Sequence, residues 1–270
     1  MKKLTGSRQQ RGFTLVELSV VLVVVGLLFA AVVKGQEVVD TAKSQKLIND
    51  IKSTEALIQK FVQIKSRMPG DCNADGLIDF PADQVTRSDV DNTVRSALYD
   101  YSTTQKTFAA DGEAISTVHT GCSQQNGTAY NTANTAIGTN NWLNDLKLAG
   151  LVSDSVPNRT FAKQVNEDFL FVGNVTDAGG ASANGAQYNA IIVQNVPQWM
   201  ARQVATAING TDANSNRGRV RQLVRTGLDG TYSPLWSTID GNADTMRDAM
   251  VSVVYFFDRI PATNTGTYID

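Results

Sequence analysis

The sequence is short of the side chains that most enzyme chemistry needs. One histidine, His119, occurs in 270 residues, so no centre needing two imidazoles, such as a His-rich zinc site, can be assembled. His119 is also the sole imidazole base on offer to a Ser-His-Asp or Cys-His arrangement; in its polar setting, V-H-T-G-C, it reads as an exposed loop residue. No G-x-S-x-G elbow, Walker loop or Rossmann glycine fingerprint is present. Two cysteines, Cys72 and Cys122, exclude a four-cysteine metal site and leave room for one disulfide. Charged residues make up 19%, and the formal net charge of −2 gives no overall attraction for nucleic acid. No enzyme is expected. The 42% of hydrophobic residues suffices for a core, in one large domain or two small ones.

Proline is absent before Pro69, and acid is nearly absent from the first 33 residues. Residues 18–33 read LSVVLVVVGLLFAAVV, without a charge; with residues 13–17 the apolar segment reaches 21 residues and holds one acid, Glu17. About 20 helical residues span the roughly 30 Å of a bilayer core. Lys2, Lys3, Arg8 and Arg11 precede it, so residues 1–12 stay in the cytoplasm and the chain after Lys34 crosses the membrane. A cleaved secretory signal and a plain signal anchor both fit this outline. Neither accounts for Glu17, since a carboxylate inside an apolar span costs about 2–3 kcal/mol on insertion scales and calls for a partner.

Residues 12–17 read G-F-T-L-V-E, between a short basic leader and the apolar run. This resembles the processing site of type IV pilins and of type II secretion pseudopilins. The resemblance implies a leader, residues 1–12, removed by a prepilin peptidase between Gly12 and Phe13, with Phe13 becoming the methylated N-terminal residue. Glu17 then stands where the family carries its glutamate. Cleavage places a charged amine in an apolar setting, where amine and carboxylate are each costly alone and tolerable as a pair. The pair can form within one chain or between neighbours in a filament. Without the leader the chain keeps 20 basic and 26 acidic residues, a formal −6, which disfavours non-specific DNA binding.

The helical pattern continues past Lys34. Leu47, Ile48, Ile51, Leu57, Ile58, Phe61 and Val62 recur at spacings near three and four, which predicts one helix from about Thr14 to Lys65, ended by Met68-Pro69-Gly70. Residues 13–34 form its membrane or filament-core part and 35–66 its amphipathic part. An Ile48/Ile51/Ile58/Val62 stripe is expected to pack on a globular head, residues 67–270. This is the pilin family's architecture. Many major pilins have a proline where this chain has Lys34, a departure that bears on local melting of the helix and on the assignment as a major subunit.

In the head, β-branched and aromatic runs predict strands over 169–175, 188–196, 220–224 and 251–257. Helices are expected over 88–99, over 198–208, and from a cap at Asn140-Asn141 to Gly150. The fold class is α+β, an antiparallel sheet backed by the long helix. R-M-P-G-D (67–71) and W-L-N-D-L-K-L-A-G-L (142–151) are similar to segments of larger pilin-like proteins. Trp142, Trp199 and Trp236 read as core or interface anchors.

Cys72 and Cys122 fall in the exported part, where a disulfide is favoured over two free thiols; the bridge would contribute roughly 4 kcal/mol in the chain-entropy view. Residues 71–79, D-C-N-A-D-G-L-I-D, place Asp71, Asn73, Asp75 and Asp79 at the first, third, fifth and ninth places with Gly76 at the sixth. That spacing resembles the calcium loop of EF-hands, although the twelfth place is Ala82 and Asp83 comes one residue late. An Asx-rich turn satisfying its own backbone is the alternative. Asp212, Asn214 and Asn216 show the spacing more weakly, and residues 240–244 read as a turn. Arg217, Arg219, Arg221 and Arg225 form one basic cluster; alternation puts the first three on one strand face, either solvated or touching DNA or another anionic surface.

Together these features lead to the expectation of a non-enzymatic structural subunit of a type IV pilus or related filament. Its partners would be the peptidase, other pilin subunits in a homo- or heteropolymer, and an inner-membrane assembly platform. Before assembly it would sit in the inner membrane with a periplasmic head; afterwards it would lie in an extracellular pilus or a periplasmic pseudopilus. A secretion pseudopilin and a tip-displayed adhesin or DNA-binding minor pilin are the alternatives.

Overall fold

The computed structural model of the chain describes residues 15–82, 99, 101–102, 107–110, 113–114, 122, 135–177, 186–210, 218–225, 230–232 and 250–261. In chain order the elements are α1 (Leu15–Lys65), β1 (Tyr101–Ser102), β2 (Thr107–Ala110), β3 (Glu113–Ala114), α2 (Thr135–Leu148), α3 (Asn158–Ala162), β4 (Leu170–Asp177), β5 (Ala186–Pro197), α4 (Gln198–Asn209), β6 (Val220–Arg225), β7 (Gly230–Tyr232) and β8 (Met250–Phe256). This is an α+β architecture, a long N-terminal helix with an antiparallel sheet in the head. The chain divides into two units, Met1–Ala42 and Lys43–Asp270.

The described part of the first unit is helix alone. Its valines have modest helix propensity, but no proline interrupts the ladder, and an apolar surrounding leaves a backbone no better partner than itself. None of its most apolar 18-residue window is buried, and α1 is long and apolar enough to cross a membrane.

In the second unit α1 changes character. Ser44, Leu47, Ile51, Thr54, Ile58 and Phe61 are buried, at alternating spacings of three and four that keep one face inward. The expected stripe is thus rotated: Ile51 and Ile58 hold, while Ile48 and Val62 flank it, half-buried. Leu47 and Phe61 take the central places because they complete the three-four alternation; Thr54 is accommodated by donating its hydroxyl to the Asp50 carbonyl at 2.8 Å. Burying Leu47, Ile51, Ile58 and Phe61 at about 1.5–3 kcal/mol each stabilises this half by roughly 6–12 kcal/mol as an upper bound. The helix ends where Ser66 takes φ 57° and Pro69 follows.

The main sheet has the order β4-β5-β8-β6-β7 and closes through a single parallel pair, Asp177 with Gly230. Its other pairings are antiparallel, with Val172 opposite Ile191, Ile191 opposite Tyr255, and Tyr255 opposite Val220. β8 is central, and after Met250 every residue of it is buried, hence a sequence that is apolar save for Ser252, whose hydroxyl donates to Gln194 Oε1. β5 carries a bulge between Val193 and Val196, where Asn195 has φ 57°. There Asn166 Nδ2 donates to the carbonyls of Gln194 and Asn195 at 2.7 and 2.9 Å, satisfying backbone that the bulge frees. β1, β2 and β3 form a separate small antiparallel sheet.

Two expectations are corrected. Asn140-Asn141 do not cap α2, which begins at Thr135. Both are buried, and Asn140 Oδ1 accepts from Asn158 Nδ2 at 2.7 Å; a partner distant in sequence replaces the local capping role. The α2 C-terminus is as expected, with Gly150 at φ 70° and the Leu151 N–H reaching back to the Leu146 carbonyl at 2.9 Å, a Schellman closure. Arg219 and Arg221 do not form the expected solvated strand face. Arg221 is 1% exposed, lies over the Phe256 ring and donates to the Pro261 carbonyl at 2.6 Å. Arg219, preceding β6, donates to the carbonyls of Phe256 and Phe257. Their guanidinium groups serve backbone carbonyls at the sheet's margin, which removes the anionic-surface reading for these two. Arg217, His119, Trp236, the 212–216 and 240–244 segments, and the expected helix over 88–99 except Tyr99 lie outside the described residues.

Candidate functional site

The first candidate region is the start of α1. Gly12 and Phe13 lie outside the described residues. Glu17 occupies the first turn, where a carboxylate complements the exposed N–H groups of the helix end. Around it the large apolar side chains from Leu15 to Val39 are 42–85% exposed. An area of that kind and length is not left to water; lipid or other copies of such a helix are what cover it.

The second region is where α1 ends. Here the two segments singled out in the sequence, 67–71 and 142–151, come together. Asp145 Oδ2, on the inward face of α2, accepts from Arg67 Nη1 at 2.7 Å and from the Gly70 N–H at 2.9 Å. The carboxylate is 1% exposed, and the Arg67 guanidinium also lies over the Phe61 ring at 5.2 Å. Gly70, at φ 82°, favours glycine: a side chain there is strained, and a Cβ would press on the Trp142 backbone nitrogen at 3.2 Å. Trp142 itself is fully buried, and Trp199 packs on the core half-buried.

Residues 71–79 follow directly. Asp71 is buried, and its carboxylate accepts from the N–H groups of Asp75 and Gly76 at 3.3 and 3.0 Å. Asn73 Oδ1 accepts from the Asp75 N–H, and Asp75 Oδ1 from the Leu77 N–H. Asp79 Oδ2 accepts from the Cys72 N–H at 3.1 Å. Burial, and secondarily the charges of Asp71 and Asp75, push the Asp79 carboxyl up to about 6. The loop is fastened to the sheet by Asn189 of β5, which accepts from the Ile78 N–H and donates to the Gly76 carbonyl, both at 2.8 Å. Sequence reading missed Asn189; a buried asparagine in the middle of an apolar strand was its one signal. At Gly173 of β4 the chain passes so close to the Phe80 carbonyl that no Cβ fits.

The four expected calcium ligands thus share one loop, and their oxygens are hard donors of the kind calcium takes. The same oxygens already serve the loop's amides, as an Asx-rich turn requires. Ala82, at the twelfth place, is buried and supplies no carboxylate. Among the described residues no three His, Cys, Asp or Glu side chains are gathered as metal ligands. A disulfide links Cys72, inside this loop, to Cys122.

A bare apolar helix followed by an α+β head is a pilin-like architecture, and the helix is long and apolar enough for membrane anchoring. Residues 7–33 match the prokaryotic N-terminal methylation motif, characteristic of type IV pilins and pseudopilins. That motif points to a structural, non-enzymatic protein and implies processing by prepilin peptidase and assembly with other pilins. No curated protein and no solved structure matches the chain.

Proposed function

We propose that this protein is a structural subunit of a type IV pilus or related filament, cut between Gly12 and Phe13 and assembled through α1. The observation that carries the reading is the exposed apolar stretch of α1 over residues 15–33 with a single carboxylate, Glu17, one turn after the proposed cut. The chain inserts with its leader in the cytoplasm, the peptidase cuts it and frees the Phe13 amine, and the apolar helix keeps the processed chain in the inner membrane until assembly. On assembly the α1 helices pack together in the filament core. Lipid is as apolar as a neighbouring helix, so burial alone does not drive that transfer; close packing and an ion pair between Glu17 and a neighbour's amine supply the preference and set the axial register.

The test is mass spectrometry of the membrane-extracted and filament-borne chain, together with Glu17→Leu at matched expression. The expected N-terminal residue is methylated Phe13. Glu17→Leu should lower filament yield at least tenfold while the membrane pool persists. An intact leader, a cut beyond Val33, or normal filaments from the variant would overturn the proposal. Immunogold labelling along visible filaments identifies a shaft subunit; loss of protein secretion without visible filaments instead identifies a pseudopilin, and tip-only labelling an adhesin.

A further inference from the structure

The filament reading makes no use of the Cys72–Cys122 bond, yet its two cysteines are unequally buried. Cys122 is 6% exposed. Cys72 is half-buried and sits among carboxylates. Asp71 precedes it, its own N–H donates to Asp79 Oδ2 at 3.1 Å, and Asp75 is exposed three residues on. Asn141 Nδ2 lies 3.7 Å from Cys72 Sγ. In thiol–disulfide exchange, access decides which sulfur is attacked, and the attacking species is an anion. Fixed negative charge at the point of entry repels it, within the reach set by salt.

We propose that exchange at this disulfide runs through Cys72 Sγ, and that the loop carboxylates make it selective for cationic over anionic thiols. The incoming thiolate forms a bond to Cys72 Sγ. The Cys72–Cys122 bond breaks, and its electron pair leaves on Cys122 Sγ, which takes a proton from solvent. The product is a mixed disulfide on Cys72 and a thiol on Cys122; a second thiol reduces the mixed disulfide and is itself oxidised. The class of reagent favoured is a small aminothiol, whose ammonium offsets the charge of its thiolate.

The experiment uses the full chain in detergent with a chelator, exposed in turn to cysteamine, mercaptoethanol and mercaptoethanesulfonate, whose thiolate forms carry net charges of about 0, −1 and −2. Each rate is divided by that thiol's rate on a small neutral disulfide. Early samples are quenched with iodoacetamide and mapped by peptide mass spectrometry. The first adduct is expected on Cys72 with the alkyl group on Cys122. The normalised rate should fall about threefold per unit of negative charge at low salt, the factor for charges roughly 6 Å apart in water, and converge near 1 M salt. Asp75→Asn, which keeps the oxygen that accepts from Leu77, should flatten the series. Adducts on Cys122, equal adducts on both sulfurs, or rates indifferent to thiol charge and tracking global unfolding in urea would overturn the proposal.

Discussion

Asp145 ties the segment after α1 to α2. Its carboxylate is buried and holds both a guanidinium and a backbone N–H. Removing one partner of such a pair leaves the other uncompensated, at about 3–5 kcal/mol. Asp145→Ala should therefore lower head stability by that amount in urea unfolding followed by tryptophan fluorescence, since Trp142 lies three residues away. Asp79 works in the opposite direction. Its folded pKa, about 6, is above that of a free carboxylate, so the fold prefers it protonated. Its contribution is present below pH ~4 and is lost as pH rises through about 6. The group is half-exposed, so solvent screening reduces the effect to about 1 kcal/mol. In chelator, Asp79→Asn should be more stable than the natural protein at pH 7 by up to that amount, and the two should coincide near pH 4. An Asn variant no more stable at pH 7 would show that the carboxylate is solvated more fully than its position implies.

At the scale of elements, α1 holds two helices of different kinds in one continuous run. Leu47→Ala removes a fully buried side chain and should cost about 2–5 kcal/mol. Val38→Ala, on a residue 68% exposed, should leave head stability within about 0.5 kcal/mol. Comparable losses at both positions would mean that the face near Val38 is covered in the monomer. The extent of α1 was legible because an uninterrupted run without proline admits few other structures in an apolar solvent. β4, β5 and β8 were legible because each carries a run of β-branched and aromatic residues that the sheet buries, and β6 because Val220, Leu223 and Val224 stand between turn residues. β7 was not, since three residues, G-T-Y, carry no period. The early start of α2 was not legible either, because Asn140 is polar for the sake of Asn158, and Asn141 turns its amide toward Cys72, contacts no local pattern encodes. Arg221 misled for the same reason: charge predicts exposure until a carbonyl and an aromatic face are brought to it by another strand. Of the candidate site, Glu17 and the loop spacing could be read directly, whereas the Arg67–Asp145 pair and the Asn189 anchor appear only after folding.

For the whole molecule, the buried core begins at Leu47, inside the unit that starts at Lys43. A chain of residues 43–270 should therefore stay folded and soluble without detergent, and its melting temperature reports on the head alone. It is also the right object on which to decide between the two readings of residues 71–79. The loop's hydrogen bonds hold it without a cation, but they leave Asp71, Asp75 and Asp79 crowded in one short segment. A calcium ion there would replace mutual repulsion by attraction and bind the folded loop in preference to the unfolded chain. Stabilisation then follows mass action, about 2.7 kcal/mol at a hundredfold excess over the dissociation constant. The expected result is a melting temperature raised by several degrees at millimolar calcium, insensitive to magnesium at the same concentration and abolished by Asp75→Ala. No shift, or a shift that survives Asp75→Ala, would return the loop to a self-satisfied Asx turn, and the junction between helix and head would then rest on Arg67, Asp145, Asn189 and the disulfide.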